Sequence, residues 1–306
     1  MTSASPPKPI ASNTSMGVFW MLVTGICFVG VTALVKYLGP GIPPAEAAFI
    51  RYFLGLMFLL PTMKRVFAAH LTRRQNTMFG VRGGLHAFGV MLWFYAMTQI
   101  PLSEVTAMSY LAPVFVTLGA AVFLHEKLAA RRIAAVVFAL IGAVIILRPG
   151  FRELNGGHLA MLINGVLFAG SYLLAKVLVD EIDPLVVVAM LSVWVTLALA
   201  PFAAFVWVTP TLYQVAVLGA VACLATIGHF TMTLAFKVAP MTVTQPVTFL
   251  QLVWAVALGA LMFSEPVDIW VVIGGTVILG SITFITWRES VLNRRAITPA
   301  SPATKL

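Results

Sequence analysis

Residues 234–266, LAFKVAPMTVTQPVTFLQLVWAVALGALMFSEP, repeat residues 95–127, YAMTQIPLSEVTAMSYLAPVFVTLGAAVFLHEK, at an offset of 139. Ala96 meets Ala235, Pro101 meets Pro240, Leu111 meets Leu250, Val114 meets Val253, Ala121 meets Ala260 and Glu126 meets Glu265. Tyr110 falls on Phe249. Earlier in each half the offset is 140, and it aligns Gly17 with Gly157, Gly25 with Gly165, Phe28 with Phe168, Gly30 with Gly170, Lys36 with Lys176 and Pro44 with Pro184. A loop insertion of one residue accounts for the change. Two unrelated apolar stretches would share leucines and valines; they would not share glycine, proline, lysine and glutamate in order. The chain is an internal duplication.

Of its 306 residues, 60% are hydrophobic and 9% charged, far from the roughly 25% charged of soluble domains. Ten apolar runs cover 16–37, 45–62, 78–98, 101–124, 130–147, 157–179, 184–207, 212–237, 240–263 and 267–287. Each is near the ~20 residues that cross a hydrocarbon core of about 30 Å. The expected fold is therefore an all-α integral membrane bundle of ten transmembrane helices. Five runs per half is an odd number, so the second copy enters the membrane upside down, as an inverted repeat. The expected organisation is a tail over 1–15, a first five-helix repeat over 16–150, a second over 151–290 and a tail over 291–306. The first run is too long for a cleaved leader and reads as a retained span, and the end RRAITPASPATKL reads as disordered. Cys27 and Cys223 lie inside predicted spans as small apolar fillers.

The net charge of +9 is a topology signal and not a nucleic-acid footprint. With the N-terminus inside, fourteen lysines and arginines fall on cytoplasmic segments and only Lys36, Arg148 and Arg152 on the opposite side. That bias puts both termini in the cytoplasm.

Three stretches carry a resemblance. Prolines 43 and 44 followed by Arg51–Tyr52 enter the second run, WFYAMTQIPLSEVTAMSYLAPVFVTLGAAVFLHEKL spans 93–128, and GAVIILRPG closes the fifth run at 142–150. In this order they resemble the EamA family of the drug/metabolite transporter superfamily, over residues 16–287. The resemblance implies ten helices and export or import of small metabolites, with a pattern similar to the aromatic and neutral amino-acid exporters. Glu126 and Glu265 match a glutamate that the family places at the ends of its fourth and ninth spans. The Trp-Gly opening common in its first span is replaced here by TGICFVG, 24–30.

Polar groups inside a membrane face protein or a water-filled hollow. In the ninth run Thr244, Thr248 and Gln251 share a face at 100° per residue, and Pro246 suggests a kink. The fourth run presents Thr106, Tyr110, Pro113 and Thr117. The sixth presents Asn164, Phe168 and Ser171 with Tyr172 beside them, and the first presents Thr24 and Phe28 at the paired positions. Arg82, His86 and Trp93 share a face of the third run, as do Thr226, His229, Phe230 and Thr233 of the eighth. Interhelical hydrogen bonding by threonine and glutamine is the competing role, and a histidine in an apolar span packs as often as it binds. Glu46 and Arg51 are expected to form an ion pair or meet headgroups. The glycines are expected at close helix contacts. The expected substrate-lining set is Thr24, Phe28, His86, Trp93, Tyr110, Asn164, Phe168, Tyr172, His229, Thr248 and Gln251.

Rings, hydroxyls and amides with few mid-span cations suit a small neutral or zwitterionic substrate, and a phosphate ester would call for more lysine or arginine. No HExxH, GxSxG, P-loop or zinc spacing is present, so neither enzyme nor cofactor is expected, with an intramembrane hydrolase as a remote alternative. The expected function is export of amino acids or similar metabolites across a bacterial inner membrane, with a drug or other metabolite carrier as runner-up. No carboxylate falls at mid-depth, so gradient-following transport is expected over antiport through His86 or His229. The partners are substrate and lipid, as a monomer or weak homodimer.

Topology is open to direct test. A cysteine at any position in 64–76 should react with an impermeant thiol reagent only from the cytoplasmic side, and one at Thr209 only from outside; labelling of both from one face would overturn the inversion.

Overall fold

The computed structural model describes residues 14–123, 130–151, 153–238 and 241–297. Residues 1–13 and 298–306 of the predicted tails and Glu126 lie outside them, as do the side chains of Thr117, Thr233, Thr244 and Thr248; residues 291–297, read as the start of the second tail, instead continue the last helix. The described residues form twelve α-helices, joined by short loops and two 3₁₀ turns. In chain order they are α1 (Thr14–Leu38), α2 (Pro44–Leu59), α3 (Met63–Ala68), α4 (Arg73–Gln99), α5 (Leu102–Ser109), α6 (Leu111–Phe123), α7 (Ala130–Leu147), α8 (Gly156–Glu181), α9 (Pro184–Phe205), α10 (Leu212–Val238), α11 (Met241–Phe263) and α12 (Ile269–Ile297).

Local chemistry starts these helices where the sequence changes character. Thr72 and Gln75 close a capping box at α4, Asn155 and His158 do so at α8, and Pro44 and Pro184 occupy first helical positions, where a missing N–H costs nothing. Five segments are long and apolar enough to cross a membrane: Ser15–Gly41, Pro44–Ala68, Gly156–Ala175, Leu185–Phe205 and Leu212–Met232. Shorter apolar helices cover Leu102–Val116, Ile133–Leu147, Leu250–Phe263 and Ile269–Phe284. The third predicted run became α4, 27 residues long but carrying Arg82 and His86. The fourth is divided into α5 and α6 at Tyr110. Pro113 supplies the reason: it has no N–H for the Ser109 carbonyl, so the ladder fails one residue on. Pro246, where a kink was expected, lies inside α11, whose assignment continues through it.

Packing pairs each half with the other. α1 lies along α10 and α11, and its counterpart α8 lies along α4 and α6. α2 contacts α9 and α10, while α9 contacts α2 and α4; α7 and α12 pack on each other. Exchanging the halves maps each of these contacts onto another of them. The core is drawn from both halves, with Met97, Leu102, Met108, Leu111, Ile146, Met161, Leu199, Leu218 and Leu252 fully buried. Outward-facing side chains are also apolar, among them Phe138, Val144, Leu197, Leu261 and Trp270, as a lipid-facing surface requires.

Polar ties between helices gather at the ends. At one end Lys36 pairs with Glu265 at 2.5 Å and donates to the Ile100 carbonyl, while Glu265 accepts from the Leu102 amide. Close by, Arg148 pairs with Asp268. His158 Nδ1 accepts from the Asn155 amide, so its proton sits on Nε2 and is donated to Glu104 Oε2 at 2.8 Å. At the other end Arg74 and Gln75 hold Glu181, and their hydrogen bonds keep its carboxyl below the usual range.

α7 and α12 approach backbone to backbone, where a Cβ on Gly142 would sit 2.7 Å from the Gly274 carbonyl and one on Gly274 would sit 2.5 Å from the Gly142 carbonyl. Alanine favours a helix over glycine by about 1 kcal/mol, but backbone against backbone cannot yield. Gly142→Ala and Gly274→Ala should each destabilise the purified protein by about 1–3 kcal/mol, the cost of overpacking. Gly280→Ala, on the same helix with nothing within 4 Å, should be neutral or stabilising in the same thermal unfolding series.

Candidate functional site

Two contacts between halves bring the predicted polar residues together. Where α4 meets α8, Gly89 leaves room for Phe168: a Cβ on Gly89 would lie 2.6 Å from that ring. Asn164 Nδ2 donates to the Gly89 carbonyl at 2.7 Å. Phe168 thereby lies flat on His86, centroids 4.6 Å apart and planes 16° apart, with Tyr172 tilted against its other edge at 5.9 Å. His86 is buried, with the Tyr52 hydroxyl 2.8 Å from Nε2 and the Ser171 hydroxyl 3.4 Å from Nδ1. Hydroxyls donate or accept, so either neutral tautomer is satisfied.

Where α1 meets α10 the arrangement is related but simpler. Thr24 Oγ1 donates to the Trp20 carbonyl and stands 2.9 Å from Thr231 Oγ1, with both threonines buried. Phe28 meets His229 edge to face at 5.1 Å. The close fit of α1 rests on Gly228, whose Cβ would come within 3.2 Å of both Cys27 and Phe28.

Tyr172 is 44% exposed and His229 is exposed. Their accessible rings adjoin the two buried clusters, whereas Thr24 and Asn164, each 1% exposed, are packed between helices. On the α5–α11 side Tyr110, at the helix break, reaches the Leu252 backbone, and Gln251 lies over Gly25 of α1, its Cγ 3.5 Å from where a Cβ would stand. Trp93 is half-buried against the main core, edge-on to Phe94, and among the described residues the rings stacked on or edge-on to His86 are Phe168 and Tyr52. The two apolar grooves, between α7 and α12 and among α2, α4 and α9, lie elsewhere and touch none of these residues.

Several details differ from expectation. Arg51 does not pair with Glu46: it stacks over the Tyr52 ring at 4.3 Å, while Glu46 accepts from the Val208 amide. Phe230 points away at 61% exposure, and Thr231 instead is the hydroxyl that meets α1. Tyr52 joins the site although periodicity did not select it; the Arg51–Tyr52 pair within the quoted entry to the second run was its signal. Arg82 turns inward, is 6% exposed and donates to the Val187 carbonyl at 3.0 Å.

Comparison with known proteins returns the EamA-like transporter family twice, over residues 15–148 and 155–287. Similar proteins include an S-adenosylmethionine uptake transporter of Rickettsia bellii, 27% identical over 90% of this chain and 94% of the relative. A riboflavin transporter of Vibrio cholerae is 28% identical over 94% and 98%, and a pseudopaline exporter of Pseudomonas aeruginosa 26% identical over 86% and 93%. A crystal structure at 17% identity shares the fold, with a TM-score of 0.59 over 93% of this chain and 98% of that one.

The hydroxyl–imidazole contact separates packing from lining. Tyr52→Phe leaves His86 Nε2 buried without a partner and should cost about 1–3 kcal/mol. Adding His86→Phe removes the stranded group and should restore thermal stability, yet transport should stay low. Recovery of both together would make His86 a packing residue alone.

Proposed function

The chain belongs to the EamA-like transporter family, and from that premise we propose that it carries a small organic metabolite across a bacterial inner membrane by alternating access. The two family matches, with helix contacts that map onto one another when the halves are exchanged, carry the proposal. Ten spans with both termini cytoplasmic follow from it: α5 with α6 forms the fourth span, and α4, α7, α11 and α12 complete the set that composition alone marks only in part. Two structurally equivalent halves of opposite orientation can open a shared hollow to either side in turn. Lys36–Glu265, Glu104–His158 and Arg148–Asp268 then lie at the outer end and fasten it.

Amino-acid export is narrower than the relatives support. Their names give S-adenosylmethionine, riboflavin and pseudopaline as cargo, and both uptake and export as direction. The runner-up, a general metabolite carrier, fits better. S-adenosylmethionine and riboflavin are both built on a flat heteroaromatic ring, and Tyr172 and His229 offer ring surface inside the hollow for such a group to stack. Transport follows the substrate gradient, because none of the ten acidic residues of the sequence falls at the middle of a predicted span, where a carboxylate could relay a proton.

Reconstituted protein should exchange labelled S-adenosylmethionine, riboflavin or a ring-bearing amino acid against the same molecule on the other side, saturably and independently of an imposed pH gradient. Accumulation that collapses with a protonophore would show proton coupling, and absence of flux for every cargo would overturn the carrier function.

A further inference from the structure

Two arginines near the His86 cluster have no counter-ion among the described residues. Arg51 lies midway along α2 and Arg82 in the first half of α4. Arg82 is 6% exposed; one terminal nitrogen donates to the Val187 carbonyl, while its Nε is buried with no acceptor. The Nε of Arg51, beside the Tyr52 ring, is likewise buried with no acceptor. Among the described residues no aspartate or glutamate lies within ion-pair distance of either guanidinium. Glu46, five residues before Arg51, accepts from the Val208 amide through Oε2, and its Oε1 is buried without a hydrogen-bond partner and does not pair with Arg51. Arg51 stacks on Tyr52, whose hydroxyl meets His86; Arg82 stands one turn before His86 on α4; and Phe168 links His86 to Tyr172. The two charges therefore border the cluster that ends at Tyr172.

A guanidinium cannot escape burial by losing its proton, and a charge away from water needs a partner. The fold itself does not require these cations. The position equivalent to Arg51 in the second repeat is Leu191, and those equivalent to Arg82 are Val221 or Ala222 at offsets of 139 and 140. The same packing is thus built without them in the other half. Two unfilled N–H donors and two uncompensated charges beside one cluster form a receptor for an anion.

We propose that the transported molecule carries an anionic group, a carboxylate or phosphate, that docks against Arg51 and Arg82 while its ring lies toward Tyr172. This rests on the carrier function and sharpens its substrate class. A zwitterion qualifies through its carboxylate, and a molecule with no negative group does not. Because both cations come from the first repeat, the anionic end faces α2 and α4, and the cargo is held in one orientation.

The test uses the full chain in phosphatidylcholine nanodiscs and paired probes that differ in the anionic group: flavin mononucleotide against riboflavin, and indole-3-acetate against indole-3-acetamide. Binding is read by tryptophan quenching. At least one anionic member should bind about tenfold tighter than its neutral partner, as a charge-assisted contact predicts. Arg51→Gln and Arg82→Gln should each erase that preference without changing affinity for the neutral partner, and Arg82→Lys should keep part of it. Gel filtration and thermal unfolding verify that the variants fold. Equal binding of both members, no binding of any probe, or a preference that survives both glutamine variants would overturn the anion site. So would stabilisation by phosphatidylglycerol that Arg82→Gln abolishes, since the arginines would then serve lipid. Cargo flux that persists in both glutamine variants would remove the anion site and leave the carrier function standing. Loss of all flux beside an intact anionic preference would do the reverse.

Discussion

Neither repeat can cover its polar face by itself, and the structure follows from that constraint. Lipid tails are as apolar as leucine, so helices in a bilayer associate by close fit and hydrogen bonds and not by hydrophobic burial. Here the close fit runs between halves. α1 reaches α10 through Gly228 and the Thr24–Thr231 contact, and α8 reaches α4 through Gly89 and Asn164. The two contacts that join the halves also carry Phe28, His229, His86 and Phe168. Assembly and site are built from the same residues.

Charge is divided along the bundle. The ends carry paired groups, Lys36 with Glu265, Arg148 with Asp268, Glu104 with His158 and Arg74 with Glu181. Three of these pairs cross from one repeat to the other at a single end, and they are partly or fully shielded from water, unlike the exposed Arg74–Glu181 pair, which adds little. The centre carries arginines with rings and hydroxyls around them. Pairs that can be broken and remade suit the ends of an alternating-access bundle, while unsatisfied cations at its centre suit a passing ligand.

Arg51 shows how one neighbour changes a functional conclusion. Five residues from Glu46 on the same helix, it was expected to form an ion pair there or to meet headgroups, which left few mid-span cations and favoured a substrate neutral overall. The Glu46 carboxylate turns to the Val208 amide at the start of the α9–α10 loop, a contact 162 residues away in sequence. Arg51 is left on Tyr52, and the interior is cationic.

The sequence by itself determined the membrane class, the duplication and most helix positions. The run 130–147 matches α7, Ala130–Leu147, and 16–37 lies within α1, Thr14–Leu38, because hydropathy and helical hydrogen bonding are both local. It also singled out His86, Phe168, Asn164, Thr24 and His229 as residues that need partners, since polar or aromatic groups in lipid need company. Only the tertiary structure decided whose company. Thr231 faces α1 and Phe230 does not, Tyr52 rather than Trp93 meets His86, and the fourth span breaks at Tyr110. Periodicity ranks the faces of one helix, but which face turns inward depends on how helices from opposite halves approach, and that distance is set by glycines and carbonyls far apart in the chain.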